Sequence, residues 1–228
     1  MPKITYLGHS GFVIEGRETS LVIDPFLEGN PLAVAEPSDI KADYVLVTHG
    51  HPDHLGDSIA IAKANGATVI APFELATYCE GKGAKAHPMH IGGGYDFPFG
   101  RVKLTIAHHG SAVPGDSGME YAGSPCGFLV EIDGKNIYHA GDTGLFLDMK
   151  LIGELTEIDA ALLPVGGNFT MDVDDAVRAV EFLRPKLAVP MHYNTFDVIK
   201  ADPDDFRKKV EALKRKAAVL KAGESIEI

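Results

Sequence analysis

One short segment limits what this chain can become. Thr48-His49-Gly50-His51-Pro52-Asp53-His54 follows directly on the apolar run Tyr44-Val45-Leu46-Val47. Four side chains able to bind a metal ion, His49, His51, Asp53 and His54, thus fall within six residues. A strand over the apolar run leaves the chain extended as it enters the segment. Extended side chains alternate, so His49, His51 and Asp53 are expected on one side. Pro52 keeps His51 out of the helical region. Asp53 then stands where a helix over Leu55 to Asn65 would begin, with His54 on its first turn. So many donors in so little chain can hardly all serve one tetrahedral ion, which points to two ions side by side, a device for activating water. The bland alternative is three histidines gathered by chance in a polar loop. Their place between a strand end and a helix start argues against it.

Composition excludes several classes. A chain of 228 residues, 45% of them hydrophobic, can bury a full core. No repeat, low-complexity tract or linker interrupts it, so one domain over residues 1–228 is expected. The net charge of −11 opposes general nucleic-acid or anionic-membrane binding, which needs a basic face. A small anionic substrate stays compatible, because a dimetal centre is itself strongly positive. The two cysteines, Cys79 and Cys126, form no C-x-x-C pair, which fits a reduced, cytoplasmic protein. Met1-Pro2-Lys3-Ile4-Thr5 lacks the pattern of an export segment, and no apolar run reaches membrane length.

Short strands are expected first, at Ile4 to Leu7, Gly11 to Glu15 and Ser20 to Ile23. Strands then alternate with helices. Thr68-Val69-Ile70 precedes a helix near Phe73 to Glu80, and Val102, Leu104 and Ile106 alternate onto one face. Gly127 to Ile132 and Lys135 to His139 read as a hairpin across Asp133-Gly134, a turn that favours positive φ. Leu145 to Leu155 reads as helical, and Val173 to Leu183 carries a helical apolar stripe ending at Pro185. Asp202 and Pro203 open a last helix, with strands at Val219-Leu220 and Ser225 to Ile228 closing the chain. Strands and helices in both halves predict two packed sheets with helices outside.

Further donors stand at strand ends: Asp142 after Tyr138-His139, His192 after Leu187 to Val189, and His108-His109 after Ile106. With His-x-His-x-Asp-His, a histidine before Gly110-Ser111, and Gly141-Asp142-Thr143, the chain resembles the metallo-β-lactamase superfamily over nearly its whole length. Leu7-Gly8-His9-Ser10, Tyr138 to Thr143, Pro164 to Met171 and Pro190-Met191-His192-Tyr193 are similar to metal-dependent hydrolases related to bacterial ascorbate-6-phosphate lactonases. The resemblance implies an α/β fold of α+β type: a four-layer αββα sandwich of two mixed sheets flanked by helices. It implies two divalent ions per chain. His49, His51 and His109 would hold one, Asp53, His54 and His192 the other, with Asp142 bridging. Strand alternation instead favours His108; the resemblance selects His109.

The remaining candidates are weaker. His9 is either a turn histidine bonded to its own backbone or, by the resemblance, a substrate contact. Asp24, before Pro25, is either a turn carboxylate or an acceptor orienting a ligand imidazole. Gly166-Gly167 alone say little, but with Asn168 and Thr170 the loop could open backbone N–H groups to an anion, and the resemblance implies that it faces substrate. His139 reads as structural, His87 and His90 as surface-loop residues. The expected activity is hydrolysis by a hydroxide bridging the metals and oriented by Asp53. By the resemblance alone, a phosphodiester or a phosphorylated sugar lactone is the first substrate class, a thioester or other ester the alternative. Zinc comes first as the metal, with manganese, nickel or iron compatible. A di-iron redox protein is the reading from another class, although such relatives place a glutamate where His51 stands. Self-association is compatible with the resemblance.

Overall fold

Period-two burial organises the molecule into three cores, which is why its sheets are covered on both faces. In the computed structural model, which describes residues 1–228, the first sheet is built from β1 (Lys3–Gly8), β2 (Gly11–Glu15), β3 (Ser20–Ile23), β4 (Tyr44–Leu46), β5 (Thr68–Pro72) and β6 (Lys85–Met89). Of the remaining strands, β7 (Gly94–Phe97), β8 (Gly100–Ile106), β11 (Cys126–Ile132), β12 (Lys135–His139), β13 (Ala160–Pro164), β14 (Leu187–Met191) and β15 (Lys216–Ala217) form the second sheet. β9 (Ala112–Gly115) and β10 (Gly118–Tyr121) make a separate hairpin, and β16 (Ser225–Glu227) returns to pair with β1. Helices α1 (Pro52–Leu55), α2 (Ser58–Asn65) and α3 (Phe73–Gly81) follow strands of the first sheet. Helices α4 (Asp148–Leu155), α5 (Val173–Leu183) and α6 (Pro203–Ala212) follow strands of the second.

Alternation divides each strand between two layers. Leu46 enters the central core between the sheets, while Val45 and Val47 face the core beneath α2 and α3. In β13, Ala160 and Leu162 point to the centre, Ala161 and Leu163 to the core shared with α5 and α6. Helix, sheet, sheet, helix is the result: the expected αββα sandwich of two mixed sheets. β3, β4, β5 and β6 pair in parallel, as do β12, β13, β14 and β15. Parallel strands deliver their following loops to the same edge, and that edge carries the histidines.

Several expectations need correction. The helix foreseen over Leu55 to Asn65 is two helices, broken at Gly56, whose φ of 38° puts it in the left-handed region. A Cβ there would collide with the Pro25 carbonyl. Helix α4 starts at Asp148 rather than Leu145, and the penultimate strand is Lys216–Ala217 rather than Val219-Leu220. Ile106, opposite Cys126 at the end of β8, keeps the register but is 37% exposed rather than buried like Val102 and Leu104. His87 is no loop residue: it lies in β6, which carries Pro88 and polar residues, and packs against Tyr95 and Phe97. His90 is exposed, as expected, and stacks on Phe73. The Asp133-Gly134 turn has both residues at positive φ, and Asp202 caps α6 by accepting from the Asp204 N–H at 2.9 Å.

Asp159 ties three strands of the second sheet. Its carboxylate accepts from the Asn136 N–H (3.0 Å) and from the ammonium groups of Lys135 (3.1 Å) and Lys186 (3.0 Å). Burial raises the carboxyl pKa, but these donors outweigh it and hold it below the usual range. A depressed folded pKa stabilises above the ordinary carboxylate range and loses that effect as pH falls through the folded value. Asp159→Asn is therefore expected to cost about 1–3 kcal/mol at neutral pH, a gap that closes below about pH 4. Urea unfolding of both proteins at neutral and acidic pH checks this; an equal gap at both would count against it.

Candidate metal centre

Six loops meet at one rim of the sandwich. Thr48 to His54 follows β4, His109 follows β8, Asp142 follows β12 and His192 follows β14, while His9 lies between β1 and β2 and Asp24 just after β3. Pro52 divides the first motif. His51, extended at φ −62° and ψ 146°, is the N-cap of α1, so the chain turns helical before Asp53. Asp53 is therefore not the cap, and it does not share a side with His49 and His51.

The donor atoms form three overlapping groups, one of which, Asp24, His49 and His54, joins the other two. His49 Nε2 and His109 Nε2 lie 3.0 and 3.2 Å from His51 Nδ1. Nitrogens around a tetrahedral ion, each about 2.0–2.1 Å from it, stand about 3.4 Å apart, so the trio is spaced for one ion. Ligand-type atoms of His9, Asp53, His54 and His192 lie within 4.8 Å of one another and make the second group. Asp142 stands between the two. Its Oδ2 is 3.0 Å from His192 Nε2 and 3.6 Å from His109 Nε2, and its Oδ1 is 3.2 Å from His54 Nε2. His108, by contrast, is exposed and stacks on Phe146, so it is His109 that faces the cluster.

Burial sets the electrostatics. It pushes the pKa values of His49, His51 and His109 down, which keeps these rings neutral and their lone pairs available. Burial also lowers His54, but Asp142 and Asp24 on either side outweigh it and raise its pKa well above the ordinary value. For Asp142 burial works upward; His192 and His54 overcome it and hold the carboxyl well below the usual range. The same contest, with His9 and His54 winning, lowers Asp53. His9 is pushed down to about 4, chiefly by burial. A neutral His9 beside this carboxylate donates its Nε2–H to Asp53 Oδ2 (3.1 Å) and accepts from the Thr195 hydroxyl at Nδ1 (2.9 Å).

The fit to a metal rests on atoms the protein leaves without partners. His54 donates Nδ1–H to Asp24 Oδ2 at 2.7 Å, which turns Nε2 toward Asp142. Neither His54 Nε2 nor Asp142 Oδ1 has a hydrogen-bond partner, although both are fully buried. Facing each other at 3.2 Å, the pair needs positive charge, either the proton that the raised pKa keeps on His54 or a metal ion in its place. Asp24 is thus an orienting acceptor rather than a turn carboxylate. Both His9 (φ 57°) and His192 (φ 55°) hold the left-handed backbone, and the His192 N–H donates to the His9 carbonyl at 2.6 Å.

The glycine loop uses most of its N–H groups on the chain itself. Gly167 N–H donates to Met171, Phe169 and Thr170 N–H to Gly167, and Met171 N–H to Thr143. Those four N–H groups are spent within the chain, while the N–H groups of Gly166 and Asn168 have no backbone acceptor; Asn168 and Phe169 are exposed, and the Thr170 hydroxyl bonds the Met171 carbonyl. Reading from the sequence missed Thr48, Thr195, Phe26 and Phe196. The two phenylalanine rings lie 5.8 and 5.7 Å from His9, and Phe196 is 40% exposed. Only Thr48 carried a signal, its place beside the motif.

Sandwich and rim together define the class. A model of the β-lactamase superfamily domain matches residues 3–192, and the chain belongs to that superfamily, with the metallo-β-lactamase fold. Within it, a UPF0173 metal-dependent hydrolase of Pelotomaculum thermopropionicum is 54% identical over 228 residues, covering 99% of this chain and 100% of that protein. The structure of Igni18, a metallo hydrolase from the archaeon Ignicoccus hospitalis, superposes with a TM-score of 0.90 at 40% identity, covering 100% of this chain and 99% of that one. YhfI, a metallo-β-lactamase fold protein of Bacillus subtilis, shares the fold alone, with a TM-score of 0.72 at 13% identity over the whole of both chains.

His139 belongs to the scaffold. It accepts from the Gly141 N–H at Nδ1 (3.1 Å) and donates Nε2–H to the Ser10 carbonyl (2.9 Å), fixing the turn that carries Asp142. His139→Leu strands both buried partners and is expected to lower stability by about 2–4 kcal/mol. His90→Ala, at an exposed position, should change it by less than about 0.5 kcal/mol. Denaturant unfolding of the two variants separates the roles.

Proposed function

We propose that this chain is a hydrolase working with two divalent metal ions. His49, His51 and His109 would hold the first, Asp53, His54 and His192 the second, with the Asp142 carboxylate between them. The observation that carries this reading is the placement of Asp142. It is 3% exposed, one oxygen turned to His54 and the other to His192 and His109, so that it faces both groups. The near-tetrahedral spacing of the three imidazole nitrogens favours zinc at the first position; a mixed carboxylate and imidazole set also suits manganese, nickel or iron. When bound, such ions lower the pKa of a water between them and polarise the oxygen under attack.

The chain's own groups do the rest. Of the three carboxylates at the rim, Asp24 is 0% and Asp142 3% exposed at the side chain, while Asp53 is 28% exposed. Asp53 is therefore the one that an incoming water and substrate can reach. His9 occupies its Oδ2, leaving the other oxygen to orient the attacking water and accept its proton. His49, His54 and His192 are buried whereas His51 and His109 are partly exposed, so substrate approaches from the His51 and His109 side. The positive centre suits an anionic group there. A phosphodiester or a phosphorylated sugar lactone is our first substrate class, and a thioester the second.

Purified protein should carry close to two equivalents of metal. His109→Ala should lose one of them and His108→Ala neither, as measured by elemental analysis. Asp53→Ala and Asp142→Ala should each lower kcat/KM on phosphodiester or lactone chromogens by ~10³-fold or more with the circular dichroism of the fold unchanged. Full activity in either variant would overturn the mechanism. Iron in the wild type without hydrolysis of any chromogen would favour the redox reading instead.

A further inference from the structure

The Thr48 hydroxyl lies between two groups that decide which way its proton points. Thr48 Oγ1 is 2.6 Å from Asp24 Oδ2 and 2.9 Å from His49 Nδ1. Asp24 also receives the Thr48 backbone N–H on Oδ1 at 2.8 Å and the His54 Nδ1–H on Oδ2 at 2.7 Å. A carboxylate accepts and cannot donate. The single hydroxyl proton of Thr48 therefore goes to Asp24, and the threonine oxygen is left as an acceptor. Its other neighbour, His49 Nδ1, must then carry a hydrogen. That tautomer bares His49 Nε2, the nitrogen turned toward His51 Nδ1 at 3.0 Å.

His54 receives the same instruction directly. With Nδ1–H held by Asp24, its Nε2 is the nitrogen left to face Asp142. One fully buried carboxylate thus fixes the Nδ1–H of two histidines that belong to different metal groups, one by contact and one through a hydroxyl. Nothing else touching His49 Nδ1 would impose this choice, because Thr48 is its hydrogen-bond partner there. A valine in place of threonine has nearly the same shape but supplies no acceptor.

We infer that Thr48 is a positioning residue that presets His49 for the first metal, and that Asp24, through it, serves both half-sites from a single anchor. This rests on the two-metal reading above and adds an asymmetry to it. Loss of the hydroxyl affects one ion, loss of the carboxylate both. Outer hydrogen-bond partners of ligand histidines are worth about 10–100-fold in metal affinity, and that range is expected here.

The test uses the full chain and zinc alone. Chelator-competition titrations of the wild type should show two sites. Thr48→Val should weaken one of them by about 10–100-fold and leave the other within a factor of about two; Thr48→Ser should restore the wild-type values, and Asp24→Asn should weaken both. Nitrogen-15 NMR of the histidine rings in the metal-free wild type supplies a readout independent of zinc, and it stands even should a variant fail to fold. His49 should carry its hydrogen on Nδ1 in the wild type and in Thr48→Ser, and lose that preference in Thr48→Val. Hydrogen found on His49 Nε2 in the wild type, or equal zinc affinities in Thr48→Val and wild type, would overturn the inference. A wild type that binds fewer than two zinc ions while His49 still holds its hydrogen on Nδ1 would count against the two-metal reading and leave the Thr48 assignment standing.

Discussion

Asp24 and Asp142 lie on opposite sides of the His54 imidazole, and all three are buried. Two carboxylates this far from water are costly unless something positive stands between them. The neighbouring loops are arranged to meet that demand. Gly141, at φ 62°, makes the turn that brings Asp142 inward, and a side chain there would press on the Cys126 carbonyl at 2.5 Å. Asp24 itself is held at φ 43° so that its carboxylate turns back toward Thr48 and His54. The strain at these positions and the crowding of like groups make sense as the cost of concentrating charge where a cation belongs.

Much of the architecture was legible because burial on both faces leaves a strong mark. Val45-Leu46-Val47 and Ala160 to Leu163 are continuous apolar runs, and only strands sandwiched between two cores need them. Caps such as Asp202 act locally and are visible locally. β6, β7, β9 and β10 were not foreseen, since they lie at a sheet edge or in an isolated hairpin and mix proline, glycine and charge with few apolar residues. The break at Gly56 was equally hidden, because its cause is a carbonyl of Pro25 brought up by tertiary packing.

For the site, the motif from His49 to His54 announced itself, yet its division at Pro52 did not follow from a uniform strand. Alternation favoured His108 over His109, and the chain ignores alternation once β8 has ended at Ile106. Thr195 and Phe196 carry no local signal at all. They reach His9 only because β14 delivers their loop to the same rim as the turn after β1.

The backbone bond from the His192 N–H to the His9 carbonyl joins points 183 residues apart (192 − 9). No shorter piece of the chain brings these groups together, so the constellation exists only in the folded molecule. Affinity that exists only in the folded state is, by mass action, also folding free energy. On the two-metal reading, the ions that equip the centre are therefore thermodynamic partners of the fold, and the thermal stability of this protein would rise and fall with the free metal around it.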